Sequence, residues 1–198
     1  MSDTITQQAR RVVTAERSRR ARPPDLLIRP AQRLDAAVLG VLGTQVFLDT
    51  YATAGIRAVV AREVLAAFST LALEQALADP LVDLQLAEVQ AHVVGFQHTV
   101  FGATHERVRA LSPTAVQAEL VRLYVQEPFT GCGIGKTLLQ ASEAAARRRG
   151  ADVLWLTPYV DNHRALRFYA AQGYRDLGPT TFQMEDETHE NRVYCKAL

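Results

Sequence analysis

A chain of 198 residues, 48% hydrophobic and 22% charged with a net charge of +1, suits one packed domain and has no overall pull toward nucleic acid or acidic membranes. No apolar run nears the roughly 18 residues of a membrane span, and no signal peptide is expected at the start. The two cysteines, Cys132 and Cys195, show neither metal nor C-x-x-C spacing, so a reducing, cytoplasmic setting is expected. The small net charge hides an asymmetry. Residues 1–24 hold six arginines against Asp3 and Glu16 and read as a basic N-terminal extension. Residues 25–198 read as a single domain. An organelle transit peptide would need more hydroxyl residues than that extension holds.

In chain order, Pro23-Pro24 forces extended backbone, and Leu26 to Arg29 reads as a short strand. Asp35 can cap a helix over about Ala36 to Tyr51, with Val38, Leu39, Leu42, Val46 and Leu48 on its apolar face. Gly55 breaks it, and helices follow over about Arg57 to Ala67 and Thr70 to Ala78. The period then changes to two. Asp83 to Val89 alternates as a half-buried strand, Gln90-Ala91 is a tight turn lacking the usual Asn or Gly, and His92 to Phe101 is the return strand. Gly95 in that strand marks a bulge or a close backbone approach. His92 and His98 share a face if the strand is regular, and no third ligand joins them, so they read as solvent-facing histidines rather than a metal site. Gly102 to Thr114 reads as a loop. Glu119 to Val125 is the next strand.

That strand runs into Q-E-P-F-T-G-C-G-I-G-K-T, where Gly131, Gly133 and Gly135 open a helix that runs to about Arg149. A strand turning through glycines onto a helix N-terminus makes an anion site, because the first N–H groups lack internal partners and the dipole favours negative charge. Arg147-Arg148-Arg149 and Gly150 then suit a helix C-terminus, which explains the triplet without nucleic acid. Val153 to Leu156 is a buried strand, Asp161 or Asn162 caps a short helix through Gln172, and strands follow around Arg175 to Met184 and Arg192 to Ala197. Among phosphate ligands, a mononucleotide P-loop fails because Thr130 occupies its first glycine position. A dinucleotide fingerprint fails because Leu138 occupies its last.

The Gly131–Gly135 turn after Leu-Tyr-Val and before Lys-Thr-Leu-Leu resembles the acetyl-CoA pyrophosphate loop of the GNAT N-acetyltransferase superfamily. Leu154-Trp155-Leu156 followed by Asn162, Arg164-Ala165, Phe168-Tyr169 and Gly173-Tyr174 resembles that superfamily's N-x-x-A-x-x-F-Y-x-x-x-G-[FY] block. Leu86-Ala87-Glu88 with Val93 to Phe96 resembles its central hairpin, and Ile28 to Ala31 its first strand. The resemblance covers about residues 26–198. It implies an α/β (α+β) fold, a mixed, mostly antiparallel twisted sheet of about six or seven strands flanked by helices, with the fourth and fifth strands splayed. Thr130, where the family has Gln or Arg, and Pro158, where it continues its strand, are departures.

The resemblance also implies acetyl-CoA as co-substrate, no metal, and direct acetyl transfer to a primary amine of a small molecule or peptide. The backbone of Gly131, Cys132, Gly133, Ile134, Gly135 and Lys136 would take the pyrophosphate, Leu123 and Val125 the pantetheine, and Asn162 a cofactor-side position. Tyr169 would protonate the leaving thiolate, as a phenol with pKa near 10 can. Glu119, six residues before Val125 and thus on its face in a regular strand, is the candidate base, with Tyr159, His98 and Glu88 behind it. Phe47, Tyr51 and Tyr159, with Asp49, are candidates for the acceptor side, and a homodimer through the C-terminal strands is an expectation. The rival reading is a non-catalytic acyl-CoA-binding protein with the same fold.

Overall fold

The computed structural model describes residues 21–198; the basic extension lies almost wholly outside the described residues. The elements in chain order are β1 (Leu27–Pro30), α1 (Ala36–Tyr51), α2 (Ala58–Ala67), α3 (Thr70–Ala78), β2 (Val82–Val89), β3 (His92–Phe101), α4 (Glu106–Leu111), β4 (Gln117–Val125), α5 (Ile134–Arg148), β5 (Val153–Leu156), α6 (His163–Ala171), β6 (Arg175–Met184) and β7 (Glu187–Ala197). The strands form one seven-stranded sheet in the order β1-β2-β3-β4-β5-β7-β6. All neighbours are antiparallel except β4 and β5, which run parallel.

Helices cover both faces, as a sheet apolar on both sides requires. On one side α5 and α6 bury Ile134, Leu138, Leu139, Ala145 and Tyr169 against Ala87, Val94, Ala118, Leu120, Leu154 and Leu156. On the other, α1 and α3 cover Leu84, Leu86 and Phe96, while α4 covers Val153, Trp155 and Val193. The helix N-termini follow their chemistry. Ser69 Oγ accepts from Ala72 N at 3.2 Å and Asn162 Oδ1 from Ala165 N at 3.0 Å, the usual cap bonds. Asp35 does not cap α1 with its side chain. Its carboxylate instead accepts from Gln32 N and from Arg29, which also pairs with Glu88 at 2.6 Å. Glu88 is therefore part of a strut between β1 and β2.

Four expectations are corrected by the structure. The segment between β3 and β4 contains α4, whose six residues bury only Val108; one anchor gives no helical period to read. β7 begins at Glu187, five residues early, because Glu185 at φ 52° closes a tight hairpin directly from Met184. His98 is buried rather than solvent-facing, since a β-bulge at Val94 breaks the alternation that would have matched it to exposed His92. A second bulge, at Val121 in β4, does the same to Glu119. Ala118 and Leu120 pack toward α5, and so do Leu123 and Val125 beyond the bulge. Glu119 therefore lies on the opposite face from Val125.

Candidate active site

β4 and β5 are held together only where Gln117–Glu119 meets Val153–Trp155. Past that point they part. Pro158 has no N–H to offer a continued ladder, and its carbonyl accepts from Arg192 N at 3.0 Å, while Asn191 Nδ2 donates to Thr157 O at 2.7 Å. The chain after β5 thus follows β7 and leaves the β4 edge open. The result is a cleft of about 820 Å³ walled by β4 from Leu120 to Val125, by the glycine turn, by Leu156 to Tyr159, and by α6 from Asn162 to Tyr169.

At one end lies the glycine turn. Gly131 and Gly133 sit at φ 78° and 82°, left-handed values that an L side chain adopts only with strain. The first helical bond is from Thr137 N to Gly133 O, and among the described residues no N–H from 131 to 136 donates to another protein group. Six donors at a helix N-terminus, with Lys136 in the first turn and on the cleft wall, form an anion cradle. Cys132 and Ile134 turn their side chains into the core, so the thiol is a packing group. Thr130 closes the preceding turn, its hydroxyl donating to Glu127 O at 2.9 Å. The Glu127 carboxylate pairs with Arg164 of α6 and joins the two walls.

In the middle, Tyr169 stands on α6, 8% exposed, its ring at 5.2 Å from Phe168, 5.8 Å from Tyr174 and 6.5 Å from Tyr194. None of the described residues hydrogen-bonds its hydroxyl. Burial, with a smaller contribution from Tyr124, pushes that phenol above its ordinary value, so it carries its proton throughout the working pH range. Leu123 and Val125 line the same stretch, and Asn162 both caps α6 and reaches the cleft.

At the far end are aromatic side chains. Tyr51 and Tyr159 line the cleft with ring centroids 5.1 Å apart, and His189 of β7 lies edge-on to both at 5.8 and 6.0 Å. The Tyr159 hydroxyl donates to Asp161 at 2.8 Å. Phe47 is corrected: it is buried behind Tyr51, stacked at 4.5 Å, and supports that ring without lining the cleft. Asp49 is exposed and is not part of the lining. Glu119 does not line it either; burial lifts its carboxyl to about 6, with Arg122 pulling the other way.

Two lining residues of β4, Arg122 and Tyr124, escaped the sequence reading. Arg122 Nη1 lies 2.9 Å from His98 Nδ1, and its guanidinium lies over the Phe68 ring at 5.0 Å. Tyr124 packs edge-on to Phe96 at 5.4 Å. Their alternation with Leu123 and Val125 was the available signal, because opposite faces of one strand wall opposite halves of a split.

The glycine turn, split strands and α6 tyrosine fit one family, and comparison with known proteins agrees. Residues 67–174 match the model of the acetyltransferase (GNAT) family. The chain belongs to that family. It is an N-acetyltransferase with acetyl-CoA as co-substrate. An uncharacterised N-acetyltransferase of Mycobacterium bovis is 30% identical over 137 residues, which cover 67% of this chain and 80% of that one. Another, from Lactobacillus delbrueckii subsp. lactis, is 31% identical over 80 residues, 40% of this chain and 46% of the other. Among solved folds, the PaiA N-acetyltransferase of Thermoplasma acidophilum, in complex with coenzyme A, superposes with a TM-score of 0.66 at 19% identity, covering 87% of this chain and 99% of that one. YncA of Salmonella typhimurium, with acetyl-CoA, gives 0.61 at 20% identity, covering 87% and 94%. No described helix of this N-acetyltransferase is long and apolar enough to cross a membrane, and no cluster of metal ligands exists among the described residues.

Proposed function

We propose that residues 25–198 act as one unit in which the N–H groups of residues 131–136 hold the CoA pyrophosphate, Leu123 and Val125 flank the pantetheine, and Tyr169 protonates the departing thiolate. The acceptor amine enters from the end walled by Tyr51 and Tyr159. Its nitrogen forms a bond to the acetyl carbon as the carbon–sulfur bond breaks; the sulfur takes the Tyr169 proton, the nitrogen sheds one proton to solvent, and solvent returns one to Tyr169. Asn162 fixes the start of α6 and with it the height of Tyr169. The amine enters as its free base, so no proton transfer is assigned to Glu119. Carrying the proposal is the row of N–H groups without protein partners at the head of a cleft whose middle holds a buried, protonated phenol.

The acceptor is a small molecule or a peptide amine, in a cytoplasmic setting, and homodimer formation through β6 and β7 belongs to the same proposal. The test is acetyl-CoA turnover over a broad amine panel, with mass spectrometry of the products. Acetylated amine is the expected outcome. Tight acetyl-CoA binding with no product on any amine would support the non-catalytic alternative.

A further inference from the structure

Among the described residues, the half of the cleft beyond Tyr169 carries one cation and no acid. Glu127 is the only carboxylate among the described lining residues, and it sits at the glycine-turn end, paired with Arg164. Arg122 stands on the opposite half, half-buried. A guanidinium has five N–H donors in a rigid fork. One reaches His98 Nδ1 at 2.9 Å, another side lies by the Tyr124 hydroxyl, and Phe68 backs the plane. Among the described residues no carboxylate forms an ion pair with it. His98 adds no negative charge, being 7% exposed and held neutral by burial and by Arg122 itself. Glu119 acts on Arg122 from beyond ion-pair distance. The fold has thus placed an oriented cation without an ion-pair partner in the wall that the acceptor must pass.

We infer that the acceptor is an amine that also bears an oxyanion, in the simplest case the carboxylate of an amino acid, which pairs with the Arg122 fork while the amine faces the thioester. Bidentate pairing with a carboxylate is what a preorganised guanidinium does best, and a partly desolvated site strengthens it. The same wall disfavours polyamines and other polycations. Their second ammonium would meet Arg122 and find no carboxylate. His98 and Phe68 are positioning residues that hold the fork; Arg122 is the specificity residue.

This rests on the acetyltransfer reading above, and one experiment separates the two. The full chain is assayed with acetyl-CoA and a set of amino acids, each beside its amide and its decarboxylated amine, in the wild type, Arg122→Gln and Arg122→Lys. The acid is expected to exceed its amide in kcat/KM by at least about 10-fold, because a site built to bond a group rejects the analogue without it. In Arg122→Gln the ratio falls to within about threefold of unity, and Arg122→Lys restores part of it as a point charge. Acetyl-CoA affinity and melting temperature, measured on each variant, show that the fold and cofactor site persist. Amides or polyamines acetylated as well as the acids, or an acid-to-amide ratio unmoved in Arg122→Gln, would overturn the inference and leave the acetyltransfer reading standing. Absence of acetyl-CoA binding would overturn both.

Discussion

Tyr169 is the residue on which the proposed chemistry turns. Its side chain is largely buried, its hydroxyl has no protein partner among the described residues, and burial raises its pKa. Tyr169→Phe removes the proton donor and keeps the ring packing against Phe168 and Tyr174. Turnover is expected to fall by about 100-fold where chemistry limits the rate, with acetyl-CoA affinity changed by less than about threefold as measured by calorimetry. Two other buried titrating groups tie stability to pH in opposite senses. His98 is depressed to about 4, chiefly by burial and then by Arg122, so its contribution is full above pH 6.5 and is lost as pH falls through 4. That loss amounts to about 3 kcal/mol. Glu119 is raised to about 6, so its contribution is full below pH 4.5 and is lost as pH rises through 6. After solvent screening that is about 1 kcal/mol. Denaturant unfolding from pH 4 to 8 checks both. Glu119→Gln should gain stability at pH 8 relative to pH 4, and His98→Gln should flatten the fall between pH 6.5 and 4.

At the scale of elements, α1 reaches the sheet because Gly40 and Gly43 let it close on the corner between α2 and α3. A Cβ at Gly43 would lie 2.4 Å from the Phe68 ring, and one at Gly40 2.5 Å from Phe68 O. Gly43→Ala gains roughly 1 kcal/mol of helix propensity but forces Phe68 aside. A net loss of about 1–3 kcal/mol is expected, together with weaker acceptor use, since Phe68 backs Arg122. Urea unfolding and acceptor KM measure the two effects. Gly95 makes the matching approach in β3, where a Cβ would meet Tyr124 O at 2.6 Å. The sequence marked Gly95 but gave no reason to mark Gly40 or Gly43, because a glycine inside a helix shows its purpose only when the crossing partner is known. Periodicity found α1, α2, α3, α5 and α6 to within a few residues. It failed where a single residue changed the phase. The bulges at Val94 and Val121 reversed the faces assigned to His98 and Glu119; Gly95 marked the first without saying which residue was extra, and nothing local in L-V-R-L announces the second.

For the whole molecule, one parallel pair in an otherwise antiparallel sheet creates the site. β4 and β5 share three residues of register and then diverge, and the glycine turn, the α6 tyrosine and the wall of Tyr51 and Tyr159 all open onto the gap. The glycine turn and the start of α6 were legible in the sequence because their signals are local: glycines before a helix, and an Asn cap seven residues before Tyr169. The far half of the cleft was legible only in part. Tyr51 and Tyr159 come from elements far apart in sequence, and Arg122 and Tyr124 sit on the strand already given to the cofactor, with only their alternation to reveal them. The most direct test of the account is a crystal structure of the protein with acetyl-CoA. The account predicts pyrophosphate oxygens within about 3.2 Å of several N–H groups from residues 131–136, and the thioester sulfur within hydrogen-bond reach of the Tyr169 hydroxyl. A pyrophosphate bound away from the glycine turn, or a sulfur directed away from Tyr169, would contradict it.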